Sequence, residues 1–372
     1  MNIERKTLYI LGAGCSAGHQ PHGPGFPLAC EFVSALDEFS QKKLEGNDCQ
    51  KLKSLVVDTV KLLRQEKVQT LDTLVARLGA EARDTSNRLT TKERQQRDVQ
   101  VLNAKIATTA LFLDLESKAK EAGLPRYDNF LSELFGSSVK WAEASRKAHC
   151  NVLTFNYDRL FEMAFLSRFR PDAGQYPLYG KSLLNSGLDF VNGTGIDFDP
   201  NRFSFLKLHG SVGIRARNVN SRNMPNPRIW TDYDGLPGDD VKPINDARFF
   251  AHIQNPNPYE RDPEPLIVFP HEKPLVAPKT QPPFPFQVYI ENVWKEAHRL
   301  VAAATTIRAI GYSFAPMDRD DVLGLLRSAR NCKSLVVQNK PGVAEEICER
   351  LRLTWLEPER LDLKVGPYPQ PF

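Results

Sequence analysis

The sequence lacks any apolar run approaching the roughly 18 residues of a membrane helix, so no membrane contact is expected. It lacks a CxxC pair among its six cysteines, Cys15, Cys30, Cys49, Cys150, Cys332 and Cys348. That pattern argues against a zinc ribbon, and no metal is expected. A disulfide framework is not expected either. The chain is long, and its start, MNIERKTLYILGAG, holds a strand-like run without the plan of a secretory signal. The thiols therefore read as reduced, several of them buried, in a cytoplasmic protein. Charge of one sign is scarce too: 49 Lys and Arg against 45 Asp and Glu leave a net +4. That balance is too weak to point to direct nucleic-acid binding. No internal repeat or low-complexity tract is visible. What remains is a chain of 372 residues, 41% hydrophobic and 25% charged, long enough for one large domain or two ordinary ones with a substantial core.

Read in order, the apolar runs alternate with helical periods. Residues 7–12, TLYILG, stop at a glycine and read as a buried parallel strand. After Pro27 the spacing turns helical, with Leu28, Phe32, Ala35, Leu36 and Phe39 on one face. Helical periods then continue to about residue 148. Within them, the polar stretch 80–98 reads as a connection or an exposed helix. Further strands are expected at NVLTFNYD, FSFLKLHGSV, PLIVFP, TIRAIGYSF and SLVVQNK. Helices are expected at about 287–304, at DDVLGLLRSAR and at AEEICERL. The tail GPYPQPF reads as unfolded or draped on the surface.

This alternation predicts an α/β fold, a Rossmann-like doubly wound parallel sheet with a large helical insertion after the first strand. The expected parts are a core of residues 1–30 plus 148–372, an inserted helical subdomain at 31–147 and an irregular loop insertion at 215–264. The helices of the insertion carry enough apolar face either for an ordinary core or for contacts between subunits.

In such sheets ligands bind at the carboxyl ends of the strands. Those ends are Gly12-Ala13-Gly14-Cys15-Ser16, Asn156-Tyr157-Asp158, His209-Gly210-Ser211, Gly311-Tyr312-Ser313 and Gln338-Asn339. GAGCS lacks the third glycine of the dinucleotide fingerprint at its usual spacing. It still offers bare backbone that a pyrophosphate could approach, although a tight strand-to-helix turn reads equally from the same residues. No strand ends in Asp or Glu about 20 residues later, which disfavours a hydride-transfer dehydrogenase. Asn156 and Asp158 stand two apart, so a continuing strand would aim both to one side. Asp158 could equally cap the helix that follows. His209 follows an apolar strand and precedes a glycine, where a sheet presents side chains to a cleft.

Taken together, these motifs resemble the sirtuin superfamily. GAGCS resembles its phosphate-loop motif GAGxS, and Gly25-Phe26-Pro27 resembles the Gly-apolar-Pro that follows, after a few extra residues here (HQPHGP). TFNYDRL resembles T-x-N-x-D-x-L. KLHGS resembles the stretch around the catalytic histidine, and IGYSFAPMD and VVQNKP resemble the ribose- and adenine-contacting segments. The likeness covers roughly 5–30, 148–165, 203–214 and 264–350. The four-cysteine zinc module of protein deacylases is absent, and Leu28-Ala29-Cys30 replaces their Asp-Phe-Arg. These departures and the early helical block are similar to prokaryotic sirtuin-like domains of antiphage systems, which hydrolyse NAD.

The resemblance implies an NAD+ glycohydrolase, with NAD+ as substrate, acting as an NAD-depleting effector of antiviral defence and abortive infection. It implies Asn156, His209 and Asp158 as catalytic residues. Gly12, Ala13, Gly14, Ser16, Phe26, Pro27, Gly311, Ser313 and Asn339 are implied as nucleotide-binding. An enzyme that destroys NAD has to be restrained, so a homo-oligomer, or a partner such as a HerA-type hexameric ATPase or an Argonaute, is expected to control it. Two alternatives stay open: an NAD-dependent protein deacylase, and a non-catalytic sensor of NAD or ADP-ribose.

Overall fold

The structure is a computed structural model that describes residues 7–17, 25–68, 70–83, 90–138, 140, 143–144, 149–173, 203–217, 228–230, 244–250, 264–269, 285–354 and 362–367. Six short strands form one parallel sheet: β1 (Thr7–Leu11), β2 (Cys150–Thr154), β3 (Phe205–Lys207), β7 (Thr306–Ile310), β8 (Ser334–Gln338) and β9 (Asp362–Val365). Their order is β3-β2-β1-β7-β8-β9. The chain winds outward from β1 in one direction, then returns to its other side and winds outward again. This reversal beside β1 is the switch point at which doubly wound sheets bind ligands, and it places the fold in the Rossmann-like α/β class.

Alternation along β1 explains the two layers. Tyr9 and Leu11 face one apolar cluster, Leu8 and Ile10 the other. The first cluster is covered by α1 (Phe32–Lys42), α2 (Gln50–Gln65), α3 (Leu71–Arg83), α4 (Thr91–Ala122) and α5 (Pro125–Phe135), all between β1 and β2, and by α6 (Leu160–Ala173) after β2. The second is covered by α8 (Pro285–Ala303), α9 (Arg319–Arg327) and α10 (Val343–Thr354). The apolar side of α1, with Phe32, Leu36 and Phe39, is buried as its spacing predicts. One continuous cluster runs from these helices to Val152 and Phe205 of the sheet. Among the described residues the exposed large apolar side chains are Val99, Val343, Leu353 and Val365, so the apolar faces of α1–α5 are largely spent inside the molecule. No helix among the described residues is long and apolar enough to cross a membrane.

Three differences from the sequence reading have physical causes. FSFLKLHGSV is not one strand. It breaks after Lys207, and β4 (Gly210–Arg217) starts a second sheet. The break is made by Gly210, at φ +79°, where a Cβ would sit 2.0 Å from the carbonyl oxygen of Leu266. PLIVFP supplies β6 (Glu264–Ile267), which pairs antiparallel with β4 beside β5 (Arg228–Trp230) rather than joining the parallel sheet. The sixth parallel strand is β9, in LDLKV, where Asp362 and Lys364 break the apolar run that marks the other parallel strands. The polar stretch 80–98, read as a connection or an exposed helix, is helical where it is described, at the end of α3 and from residue 91 in α4. Thr90 caps it, its Oγ1 accepting from the Glu93 amide while Glu93 accepts from the Thr90 amide. Residues 84–89 lie outside the described residues, as does most of the 215–264 insertion, apart from the end of β4, β5, residues 244–250 with α7 (Asp246–Phe250), and the first residue of β6.

A buried ion pair ties the helical block to the sheet. Glu116 of α4 accepts from the backbone amide of Arg159 at 2.7 Å, and from its guanidinium at 2.9 and 2.7 Å. Both side chains are 4% exposed. Arg159 immediately follows the β2 loop, so this bond fixes where that loop can lie. Glu116→Ala removes the carboxylate from this buried guanidinium and is expected to lower the unfolding free energy by about 3–5 kcal/mol, measured by denaturant titration.

Candidate functional site

The loop after β1 and the loop after β7 meet backbone to backbone. The Gly12 amide donates to the Ile310 carbonyl at 3.0 Å, and the Gly14 amide to the Gly311 carbonyl at 2.9 Å. A Cβ on Gly12 would lie 2.4 Å from Cα of Tyr312, and one on Gly311, at φ +59°, would lie 2.6 Å from the Cys15 nitrogen. The glycines of GAGCS and IGYS are thus required by this junction itself, before any ligand is considered. The amides of Gly12 and Gly14 are committed to carbonyls, so phosphate recognition cannot be read from the Gly-x-Gly pattern alone.

Above the junction opens a cavity of about 570 Å³, within the size range of small-molecule sites. It is lined by Ala13, Gly14, Ser16, Phe26, Pro27, Asn156, Asp158, His209, Gly311, Ser313 and Asn339. These are the candidate site residues with the exception of Gly12, which is part of the junction and does not line the cavity. Three strand spacings separate the β2 end from the β8 end, roughly 14 Å at about 4.8 Å each. The candidates therefore spread along one elongated hollow.

Asn156 is buried at the end of β2. Its Nδ2 donates to the Gly12 carbonyl at 3.0 Å and to Ser16 Oγ at 3.3 Å. With both amide donors engaged, what Asn156 offers a ligand is its carbonyl oxygen, an acceptor for a hydroxyl or a water. Ser16 Oγ also lies 2.7 Å from the Tyr127 hydroxyl of α5. Asp158 accepts from the Leu160 amide at 3.1 Å. It therefore serves the start of α6, as a capping residue would, while also lining the cavity. Burial pushes its carboxyl up to about 6, against the pull of Lys207, the Leu160 amide and Ser16. Lys207 itself is turned to the Asp158 carbonyl and, at 2.9 Å, to Glu162.

His209 occupies the turn between β3 and β4 and is buried. Its carbonyl accepts from the Val268 amide at 2.9 Å, and the Trp294 indole donates to the neighbouring Leu208 carbonyl at 3.2 Å. Its ring stands edge-on to Phe155, centroids 5.0 Å apart, and roughly parallel to Tyr157 at 6.1 Å. Phe26 packs edge-on against Phe112 of α4 at 5.3 Å. Ser313 and Asn339 lie on the more open side, where Arg350 donates to the Ser313 carbonyl and Asn339 Oδ1 accepts from the Lys340 amide at 2.9 Å.

Sequence reasoning missed several lining residues. Asp72, Thr70 and Phe112 come from the helical block, and Asp318 from the turn before α9. Asp318 lies within the quoted IGYSFAPMD and was within reach. Asp72, in LDTLVARL, reads only as an acid in the first turn of a helix. Among the described residues no group of three or more His, Cys, Asp and Glu side chains converges as a metal site would.

The strand order and the switch point define a doubly wound α/β protein with a cavity at the carboxyl edge of its sheet. No protein-family profile matches the chain, and no curated protein matches its sequence. Among solved structures it is similar to one described as a Sir2 homologue, a mutant in complex with 2'-O-acetyl ADP ribose. The identity is 13%, with 97% of this chain and 86% of that chain covered and a TM-score of 0.36.

Asp158 gives a pH-dependent expectation. Its folded-state pKa of about 6 lies above the ordinary 3.8. The folded protein therefore holds this proton more tightly, and the stability linked to it is lost as pH rises from about 4 through 6. Asp158→Asn keeps the acceptor for Leu160 without the ionisation. Its stability relative to wild type is expected to rise across that window by an amount on the order of 3 kcal/mol. Paired denaturant titrations at pH 4 and pH 8 measure it.

Proposed function

We propose that this chain binds NAD+ in the cavity and hydrolyses its nicotinamide–ribose bond, giving nicotinamide, ADP-ribose and a proton. The observation that carries the reading is the meeting of Asn156 and Asp158, from the end of β2, with His209, from the end of β3, on the wall of one cavity. The same cavity reaches along the sheet to Gly311, Ser313 and Asn339. Residues that resemble the sirtuin motifs one by one thereby share one hollow of suitable size.

The chemistry asks little of a leaving-group acid. Nicotinamide is a cationic pyridinium in NAD+ and departs neutral. The cost lies in the positive charge that passes to the ribose, an oxocarbenium-like state familiar from glycoside hydrolysis. In this reading the Asn156 carbonyl oxygen accepts a hydrogen bond from a ribose hydroxyl or from the attacking water. His209 takes a proton from that water as its oxygen bonds to the ribose carbon, and later releases the proton to solvent. Asp158 orients the ribose or the Asn156 loop. Ser16 and the Gly12–Gly14 loop lie along the pyrophosphate, and Ser313 and Asn339 beside the adenosine. Phe26, Phe112, Phe155, Tyr157 and Phe269 line the hollow and keep bulk water from the reacting carbon. An NAD-depleting role in antiviral defence, in the cytoplasm, under the control of self-association or of an ATPase partner, belongs to the same proposal.

Purified protein incubated with NAD+ is expected to release nicotinamide and ADP-ribose in equal amounts, followed by chromatography. His209→Ala and Asn156→Ala are each expected to lower the rate by roughly 10²–10⁴ while NAD+ still binds by calorimetry. Wild-type turnover in both variants would refute the assignment. Loss of acetyl groups from a peptide only when NAD+ is present would favour the deacylase reading. Tight binding without nicotinamide release would favour the sensor.

A further inference from the structure

His209 has a charged neighbour that the reaction above does not use. Its Nε2 lies 3.6 Å from Oδ1 of Asp318. That distance is too long for a hydrogen bond between neutral partners, but it is an ion-pair distance once the ring carries a proton. Asp318 is 6% exposed and is held from its other side, where Oδ2 accepts from the Tyr312 hydroxyl at 2.9 Å. Tyr312 lies flat on Phe155, with centroids 4.4 Å apart and planes 9° from parallel. Phe155 in turn presses edge-on against the His209 ring. The imidazole, two aromatic rings and the carboxylate thus form a closed circuit of contacts, built from the ends of β2, β3 and β7.

Other titratable groups face the same space. Asp72 enters from α3 and lines the cavity with Asp318. Tyr157, whose ring flanks His209, hydrogen-bonds the Asp72 carboxyl. Burial, and then the charge on Asp318, push that carboxyl up to about 7. Below neutrality Asp72 therefore adds little charge. Asp158 is engaged by the Leu160 amide and Ser16. Burial holds the Tyr312 hydroxyl well above its ordinary range, so it stays a neutral donor. Of these groups, Asp318 is the one placed at ion-pair distance from the ring.

We propose that Asp318 is the positioning residue of His209: it fixes the orientation of the imidazole and supplies the counter-charge when the ring takes up a proton. The arrangement follows the logic of a carboxylate behind a histidine base, in which the carboxylate stabilises the imidazolium without accepting the proton itself. In the reaction this proton is the one removed from the attacking water, so the inference rests on the reading of His209 as base. The pairing itself exists without substrate and can be measured without it.

The test combines nuclear magnetic resonance with turnover. The His209 imidazole signal, identified by its loss in His209→Ala, is titrated in the ligand-free wild type, in Asp318→Asn and in Asp318→Glu. Asp318→Asn keeps an acceptor for Tyr312, so the loop is expected to survive. Its His209 titration is expected to move to lower pH by about one unit, whereas Asp318→Glu, which keeps the charge, stays close to wild type. Asp72→Asn is expected to leave the titration unchanged below pH 7. For NAD+ cleavage, Asp318→Asn is expected to lower kcat about tenfold with little change in KM, and the fall of the rate at acid pH, set by protonation of His209, is expected to stay in place in Asp318→Glu. An unmoved titration in Asp318→Asn, with folding intact, overturns the pairing even if NAD+ is cleaved. A moved titration in a protein that never releases nicotinamide upholds the pairing and removes only the assigned reaction.

Discussion

The site depends on a junction in which two loops touch through their backbones at the centre of the sheet. β1 and β7 are neighbours, and each ends in glycine. Side chains at Gly12, Gly14 or Gly311 would force the loops apart, because a Cβ at any of them would lie under 3 Å from backbone atoms of the other loop. The approach is made possible by the reversal of winding direction beside β1, which leaves no crossover helix between these two loops. A cavity opens there because the two loops then diverge, one toward α1 and the other toward α9. The glycines serve the architecture first, and any ligand inherits the hollow they create.

From this junction, hydrogen bonds carry order outward. The Gly12 carbonyl and Ser16 Oγ hold the Asn156 amide, and Ser16 is in turn met by Tyr127 from α5. Glu116 of α4 holds Arg159 just beyond Asp158. The helical block is therefore more than a cover for one face of the sheet. It reaches the walls of the cavity directly through Phe112 and Asp72, and it steadies the polar residues from behind through Tyr127 and Glu116. A change in how α3–α5 pack would be felt at Asn156 and Asp158 through buried hydrogen bonds, which do not stretch without loss.

The strands of the sheet were legible because buried parallel strands have a plain signature: short apolar runs that stop at glycine or at polar residues. β1, β2, β7 and β8 all carry it. β9 does not, since Asp362 and Lys364 alternate with Leu363 and Val365 as on an edge strand. PLIVFP has the apolar signature and still lies outside the main sheet. Composition reports burial, whereas pairing partners are set by the chain's path, and here Gly210 redirects that path after His209. Site residues at strand ends could be read for the same reason as the strands. Asp72 could not, because its place in the cavity comes from how a helix packs, and an acid in the first turn of a helix is common on any surface. Asp318 lay in view within a quoted motif, but nothing in sequence spacing ties it to a histidine 109 residues earlier.

The protonation of the cavity bears on what it can receive. Asp72, Asp158 and Asp318 open on one hollow, and the pKa values of the first two are raised to about 7 and about 6, mainly by burial. Carboxyls raised in this way hold their protons more tightly, and an approaching positive charge favours their ionised form. A fully ionised site would spend its attraction on a cation as it arrives. In the proposed reaction, acids whose pKa values are raised would gain more as positive charge passes from the pyridinium to the sugar carbon. Stabilisation that grows along the reaction is the kind that accelerates it. Aromatic walls reinforce the effect by keeping out water that would otherwise screen the charges. The elements that make this pocket costly to build, namely buried acids, an imidazole and few cations among the lining residues, are also those that the proposed reaction, with its relocating positive charge, would use.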